Sequence, residues 1–343
     1  MQDSLFSTDA AAADRTAKAP KKPRNGTVSP QPASTEDVAL AQALSPQIRL
    51  GTSSWSYPGW DGLVWDGQYS DSMLARHGLA AYSAHPLFRT VSVDKGFYKP
   101  LSVVEYAKLA AVVPADLRFV VKAPSMVTDA VVRSEEGRGR QPNLAFLSPD
   151  IAVNEFVRPA LDGLGEKLGA LVFQLSPLPN HFLSNQSLLL EKLALMLRAL
   201  PSLRPIAPDG VIAVEVRDPV LLGQPLANVL RDAGATFCLG LHAKMQDIDA
   251  QLPMLRALWP GPLVCRWNLN PVNGAYGYEE ARDLYAPYDK IVDADPQTRD
   301  ALARVAAATA RAGHPVCITV SNKAEGSAPL SVRGLAETLR DAG

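Results

Sequence analysis

From Ile48 onward the chain alternates short apolar runs with longer segments whose apolar residues recur three and four apart, and the alternation persists to the C-terminus. Few folds accept this pattern. A strand buried on both faces reads as a continuous apolar run, and helical segments between such strands are the crossovers of a parallel sheet. The runs fall at 48–53, 89–94, 117–122, 168–174, 211–216, 236–241, 262–267 and 315–320. Helical spacing marks 102–112, 152–164, 184–199, 222–234 and 296–312 between them. Eight strand-then-helix units in roughly 300 residues predict a (β/α)8 TIM barrel, an α/β fold. A doubly wound open sheet is the competing arrangement. Against it, the first strand runs through IRLGTSSWSYPG without a G-x-G-x-x-G, and no Walker-type glycine loop occurs. The chain therefore carries no nucleotide-cofactor motif, and the sequence assigns no cofactor.

Residues 1–46 are set apart by composition, being rich in Ala, Pro, Ser and Lys with no apolar periodicity. They predict a disordered N-terminal tail ahead of a barrel domain at 47–343. The tail's basic cluster, Arg15, Lys18, Lys21, Lys22 and Arg24, reads as a solvated arm. Across the whole chain 34 Lys and Arg meet 35 Asp and Glu, a formal charge of -1. That balance argues against a nucleic-acid partner held by bulk electrostatics. No apolar stretch reaches the length of a membrane span and no secretory core opens the chain, so no membrane partner and a cytoplasmic location are expected. Cys238, Cys265 and Cys317 each sit inside a strand-like run, widely spaced, and read as buried thiols.

In a TIM barrel the chemistry sits where strands end and the following loops begin. Lys122 closes FVVK, where desolvation of the stem would lower the ammonium pKa and suit the amine to Schiff-base or general-base work. Glu215 and Arg217 lie two apart in VIAVEVRD and share one face of their strand; Asp94 ends the second strand. Lys122, Glu215 and Asp94 are the candidate catalytic residues. Arg217 and Arg266 suit bidentate capture of a carboxylate or phosphate, and Gln174, His242 and Asn322 stand at further strand ends. With Lys122, they leave the mouth slightly positive against Asp94 and Glu215, which favours a small anionic ligand.

His242 could serve as an acid or base near neutral pH. The five His, at 77, 85, 181, 242 and 314, show no paired ligand spacing, so no metal ligand is nominated, while a carboxylate-held Mg²⁺ stays open. The first loop gathers Trp55, Tyr57, Trp60, Trp65 and Tyr69. Trp55 and Trp60 would form a wall for a sugar or base; the alternative, favoured by loop physics, is a plug that packs its own aromatics. NGAYG at 273–277 and NKAEGSAPLS at 322–331 place small residues before helices, so Gly326 and Ser327 offer a phosphate seat. Ser327 as a plain helix cap is the other reading. Isomerase, lyase and hydrolase chemistry are all compatible with these residues. A silent ligand-binding barrel and a nucleic-acid-processing protein are the alternatives from other classes. Oligomeric state is not encoded in any motif.

The stretches GTSSWSYPGW (51–60), FYKP (97–100), FVVKAP (119–124), LGALVFQLSP (168–177), VEVRDP (214–219), CRWN (265–268) and SNKAEGSAP (321–329) together resemble the YecE-like family, domain of unknown function 72. The resemblance runs from about residue 48 to the end and implies a TIM barrel without an established reaction. It implies family positions at Lys122, Gln174, Glu215, Arg217 and Asn322, and places Tyr98 of FYKP among the candidate binding residues. It also marks departures: Ser92 stands where the family usually has Glu, Asp94 where it has Asn, and Asp218 where it often has His. Either the activity tied to that Glu is lost, or its charge has moved to Asp94.

Overall fold

A computed structural model describes residues 26–133, 140–242, 244–274 and 277–342. Among them, eight parallel strands close a barrel in which every strand lies beside its neighbour in sequence, and the first pairs with the last. They are β1 (Ile48–Thr52), β2 (Thr90–Val93), β3 (Arg118–Lys122), β4 (Leu168–Gln174), β5 (Val211–Glu215), β6 (Thr236–Leu241), β7 (Leu263–Trp267) and β8 (Val316–Val320). Each falls on one of the eight apolar runs. Burial on both faces is why those runs are uninterrupted: β1, β2, β4, β6, β7 and β8 are buried at every position.

The helices Val103–Ala111, Arg158–Leu164, Gln186–Ala199, Gln224–Asp232 and Pro296–Arg311 occupy the segments with helical spacing. The helices Asp71–Tyr82 and Ile248–Ala257 fill two further crossovers, Tyr278–Tyr285 precedes Pro296–Arg311 between β7 and β8, and Ala328–Asp341 follows β8. Among the described residues, no helix is long and apolar enough to cross a membrane.

The interior is layered. Val120, Ala170, Val172, Ala213, Cys238, Val264 and Cys317 form a separate apolar cluster inside the barrel, while the larger core lies between strands and helices. All three thiols are buried and unbridged. Small residues in that inner layer leave room for long side chains at both ends. At the N-terminal end Arg49 and Arg118 reach a single oxygen of Asp209, at 2.9 and 3.0 Å. Gly51 of β1 is required by contact: a Cβ there would lie 1.7 Å from the carbonyl oxygen of Thr90 on β2.

Two segments depart from the sequence reading. Residues 35–43, assigned to the disordered tail, form the helix Thr35–Ala43, capped by Ser34, whose hydroxyl accepts from the Asp37 amide at 3.0 Å. Leu40 is its one buried residue, and Glu36 meets Arg333 of the C-terminal helix at 2.7 Å. With only Leu40 buried, the helix carries no apolar periodicity that a sequence could show. The basic cluster at 15–24 lies outside the described residues. After β3, the segments Val131–Arg133 and Arg140–Pro142 pair as an antiparallel hairpin that the apolar pattern did not reveal.

Candidate functional site

The polar strand ends converge on a cleft of about 490 Å³ at the C-terminal mouth, lined in part by Tyr57, Asp94, Lys122, Gln174, Arg217, His242, Lys244, Arg266, Tyr278 and Lys323. A wider hollow of about 870 Å³ opens at the opposite end, around Gln47, Asp209 and His314. It lies at the N-terminal ends of the strands, lined by leucines, prolines and glycines with Arg204, Asp209 and His314, whereas barrel chemistry is carried at the C-terminal ends. The mouth is therefore the candidate site.

Its floor is a charge network built from axis-facing positions. Register sets Gln174 of β4 beside Glu215 of β5, and Arg266 of β7 between Gly240 of β6 and Thr319 of β8. Glu215 is fully buried, with Arg217 Nη2 at 2.6 Å from Oε1 and Arg266 Nη1 at 2.8 Å from Oε2. Both guanidiniums also donate to Gln174 Oε1, at 3.0 Å from Arg217 and 2.9 Å from Arg266. Arg266 then crosses the barrel through Nη2 to Asp94 Oδ2 at 2.7 Å, and Ser92 donates its hydroxyl to Asp94 Oδ1 at 2.6 Å. Gly240 makes room for this knot, since a Cβ there would stand 3.0 Å from Glu215 Oε1.

The protonation states follow from these contacts. Burial works to raise the Glu215 carboxyl, but Arg217 and Arg266 outweigh it and hold the group below its ordinary range, so it is an anion locked under the cleft. The two arginines diverge. Burial lowers Arg217 despite Glu215, with Arg266 adding to the fall. Burial opposes the charge on Arg266 too, yet Asp94 and Glu215 together raise it. Two carboxylates against one account for the difference.

Lys122 is pushed down to about 8, chiefly by burial and then by Arg266, although Asp94 and Glu215 pull the other way. Its Nζ stands 3.6 Å above the centre of the Phe97 ring. Among the described residues it forms no ion pair. His242 is lowered to about 4 by burial and then by Arg217, so its ring is neutral at pH 7. Its Nδ1 accepts from the Lys244 amide at 3.2 Å, which leaves the proton on Nε2.

The structure thus brings together Asp94, Lys122, Gln174, Glu215, Arg217, His242 and Arg266 from the sequence candidates. It does not bring the others to the cleft. Trp60 is wholly buried, stacks with Trp65 at 6.3 Å between ring centres, and donates Nε1 to Asn322 Oδ1 at 3.1 Å. Trp55 is buried as well, so the aromatic loop is a plug, and Tyr57 alone of its rings lines the cleft. Asn322 spends its carbonyl oxygen on Trp60 and on the Ala328 amide, at 2.8 Å, pinning the loop to the first turn of the last helix. That contact occupies a helix N-terminal amide.

Gly326 and Ser327 are buried away from the mouth. A Cβ on Gly326 would meet the Lys290 carbonyl oxygen at 2.6 Å, so the segment around Val292 covers the expected phosphate seat. Tyr98 points to solvent, 89% exposed, outside the cleft. In the other proposed glycine loop, Ala275 and Tyr276 lie outside the described residues. Sequence reading missed Tyr278, whose ring lies 4.3 Å from Lys323 Nζ; the aromatic-glycine texture of NGAYGY was its only signal. No three His, Cys, Asp or Glu side chains among the described residues gather closely enough to hold a metal ion.

Fold and site together define a (β/α)8 barrel with a cationic mouth. The profile described as "Protein of unknown function DUF72" matches residues 49–343, and the chain belongs to that family. No functionally curated protein matches it. Among solved structures, it is similar to a DUF72 family protein from Enterococcus faecalis V583, with a TM-score of 0.55 at 16% identity, covering 85% of this chain and 95% of that one. It also matches a DUF72 family protein from Thermotoga maritima MSB8 at 17% identity and a TM-score of 0.48, covering 85% and 98%. At such identities the first of these likenesses speaks for the fold.

Proposed function

We propose that this chain is an enzyme acting on a small anionic or phosphorylated, sugar-sized substrate at the C-terminal mouth of its barrel. The observation that carries this reading is the lining of the cleft: Lys122, Arg217, Lys244, Arg266 and Lys323 face Asp94 as the one carboxylate among the lining residues. A volume of about 490 Å³ fits a metabolite rather than a polymer. Asp94 and Glu215 are both held by guanidiniums, so they support the floor, and proton movement falls to Lys122, with neutral His242 as a hydrogen-bond donor. The residues are compatible with isomerase, lyase and hydrolase chemistry.

The test is a thermal-shift screen of the full chain with inorganic phosphate, sugar phosphates and organic acids. A ligand at about 100 times its Kd stabilises by roughly 2.7 kcal/mol. A shift lost in Arg217→Ala supports the reading, and a cooperative melt unmoved by every anion counts against it.

A second reading, a silent binding barrel, is favoured by Ser92, which donates to Asp94 where the family usually carries Glu. Ser92→Glu separates the two: turnover that arises only in this variant makes the parent a binder.

A further inference from the structure

We infer that Lys122 is an amine nucleophile that condenses with the carbonyl carbon of a small oxo-anion, an aldehyde or ketone bearing a carboxylate or phosphate. The inference rests on the anion reading above and adds the chemistry of the substrate's reacting carbon. Four observations support it.

Lys122 ends β3 and lines the cleft, so its Nζ is reachable by a bound molecule. Among the described residues no carboxylate pairs with it; its neighbour is the Phe97 ring face. A lysine needed for an ion pair would have such a partner, and the cleft's two acidic neighbours are both spent on Arg266 or Arg217 instead. Burial and Arg266 bring its amine into the range where a neutral fraction exists near pH 7. Finally, Arg217 and Arg266 are anchored by Glu215, Gln174 and Asp94, so their cationic edges are fixed relative to the amine and can hold an anion with its carbonyl toward Nζ.

The step balances within the site. The neutral Nζ lone pair attacks the carbonyl carbon, the C–N bond forms, and the carbonyl π pair moves to oxygen, which takes a proton to give the carbinolamine. Nζ gives up one proton, the hydroxyl accepts a second and leaves as water, and the nitrogen lone pair closes the C=N bond of a protonated imine. The protons are exchanged with water, and His242, carrying its proton on Nε2, lines the same cleft as a hydrogen-bond donor to the carbonyl or hydroxyl oxygen. No oxidant or reductant enters.

The experiment incubates the full chain at about pH 8 with glyoxylate, pyruvate or dihydroxyacetone phosphate, reduces with cyanoborohydride, and maps adducts by mass spectrometry. At that pH an ordinary lysine is neutral in under about one molecule in a hundred, so labelling at Lys122 is expected to exceed other lysines by about tenfold or more. It should disappear in Lys122→Arg and be suppressed by inorganic phosphate. An absent adduct, or one spread evenly over surface lysines, overturns the inference. Should Lys122→Arg fail to fold by circular dichroism, peptide mapping and phosphate protection on the parent protein decide alone.

The two readings fail separately. Phosphate-induced thermal stabilisation without an adduct removes the imine step and leaves the anion site standing. Neither stabilisation nor adduct removes both.

Discussion

Glu215→Gln is the sharpest perturbation of the mouth, because it changes one charge and almost no volume. In the parent, the fully buried carboxylate touches Arg217 at 2.6 Å and Arg266 at 2.8 Å. After the change Arg266 keeps Asp94 at 2.7 Å, whereas Arg217 keeps only the Gln174 carbonyl oxygen at 3.0 Å. Removing one partner from a buried ion pair costs about 3–5 kcal/mol, since the remaining charge is left without its counterion. For a domain of roughly 300 residues the unfolding entropy near Tm is about 0.6 kcal/mol/K, so the melting temperature should fall by about 5–8 °C. Binding should move the opposite way. With one anion gone the cleft is more positive, and inorganic phosphate should bind more tightly and recover part of the lost stability. Glu215 also raises Lys122, so the variant's lysine should titrate below its parental value of about 8. Differential scanning calorimetry and a phosphate titration measure both effects. A melting shift under about 2 °C with unchanged phosphate affinity would refute the argument, showing that water, and not Glu215, balances the two guanidiniums.

Lys122→Met should stabilise the protein below about pH 8 by up to about 3 kcal/mol, because the parent must keep a desolvated ammonium there. The folded-state value is depressed, so the penalty is full below about 8 and fades as pH rises toward the ordinary lysine range; urea midpoints at several pH values would check the convergence. His242 and His85 are both lowered to about 4, chiefly by burial, so they cost nothing at pH 7. Between about 6.5 and 4 the unfolded chain takes up protons that the folded one refuses. His242→Gln should therefore lose less stability than the parent on moving from pH 7 to 5, by up to about 2 kcal/mol in paired denaturation curves. Gly51→Ala should disrupt the β1–β2 pairing, because its Cβ would lie 1.7 Å from a backbone oxygen. A loss of about 3 kcal/mol or more is expected, read from near-UV circular dichroism and soluble yield; a fully native variant would contradict the packing.

The strands were legible because the barrel buries both of their faces, which leaves local, contiguous apolar runs such as LGALVFQ and TFCLGL. The same logic made Lys122, Gln174, Glu215 and Arg266 visible, since a polar side chain at or next to the end of an apolar run stands out. Structure with sparse burial was not legible: the helix Thr35–Ala43 buries only Leu40, and the hairpin after β3 is a three-residue pairing.

What the sequence by itself determined is which residues stand at the strand ends, for that depends on position along a run and on a period of two. Which of them face one another belongs to the closed barrel alone. Arg266 meets Asp94 across 172 positions and Glu215 across 51, contacts that exist because closure brings strands two, five and seven around one axis. Trp60 and Asn322, 262 positions apart, looked like cleft residues and became a structural clasp for the same reason. Closure turned Glu215 from a candidate catalytic residue into a buried counterion and left Lys122 as an amine lining the cleft without a carboxylate partner among the described residues.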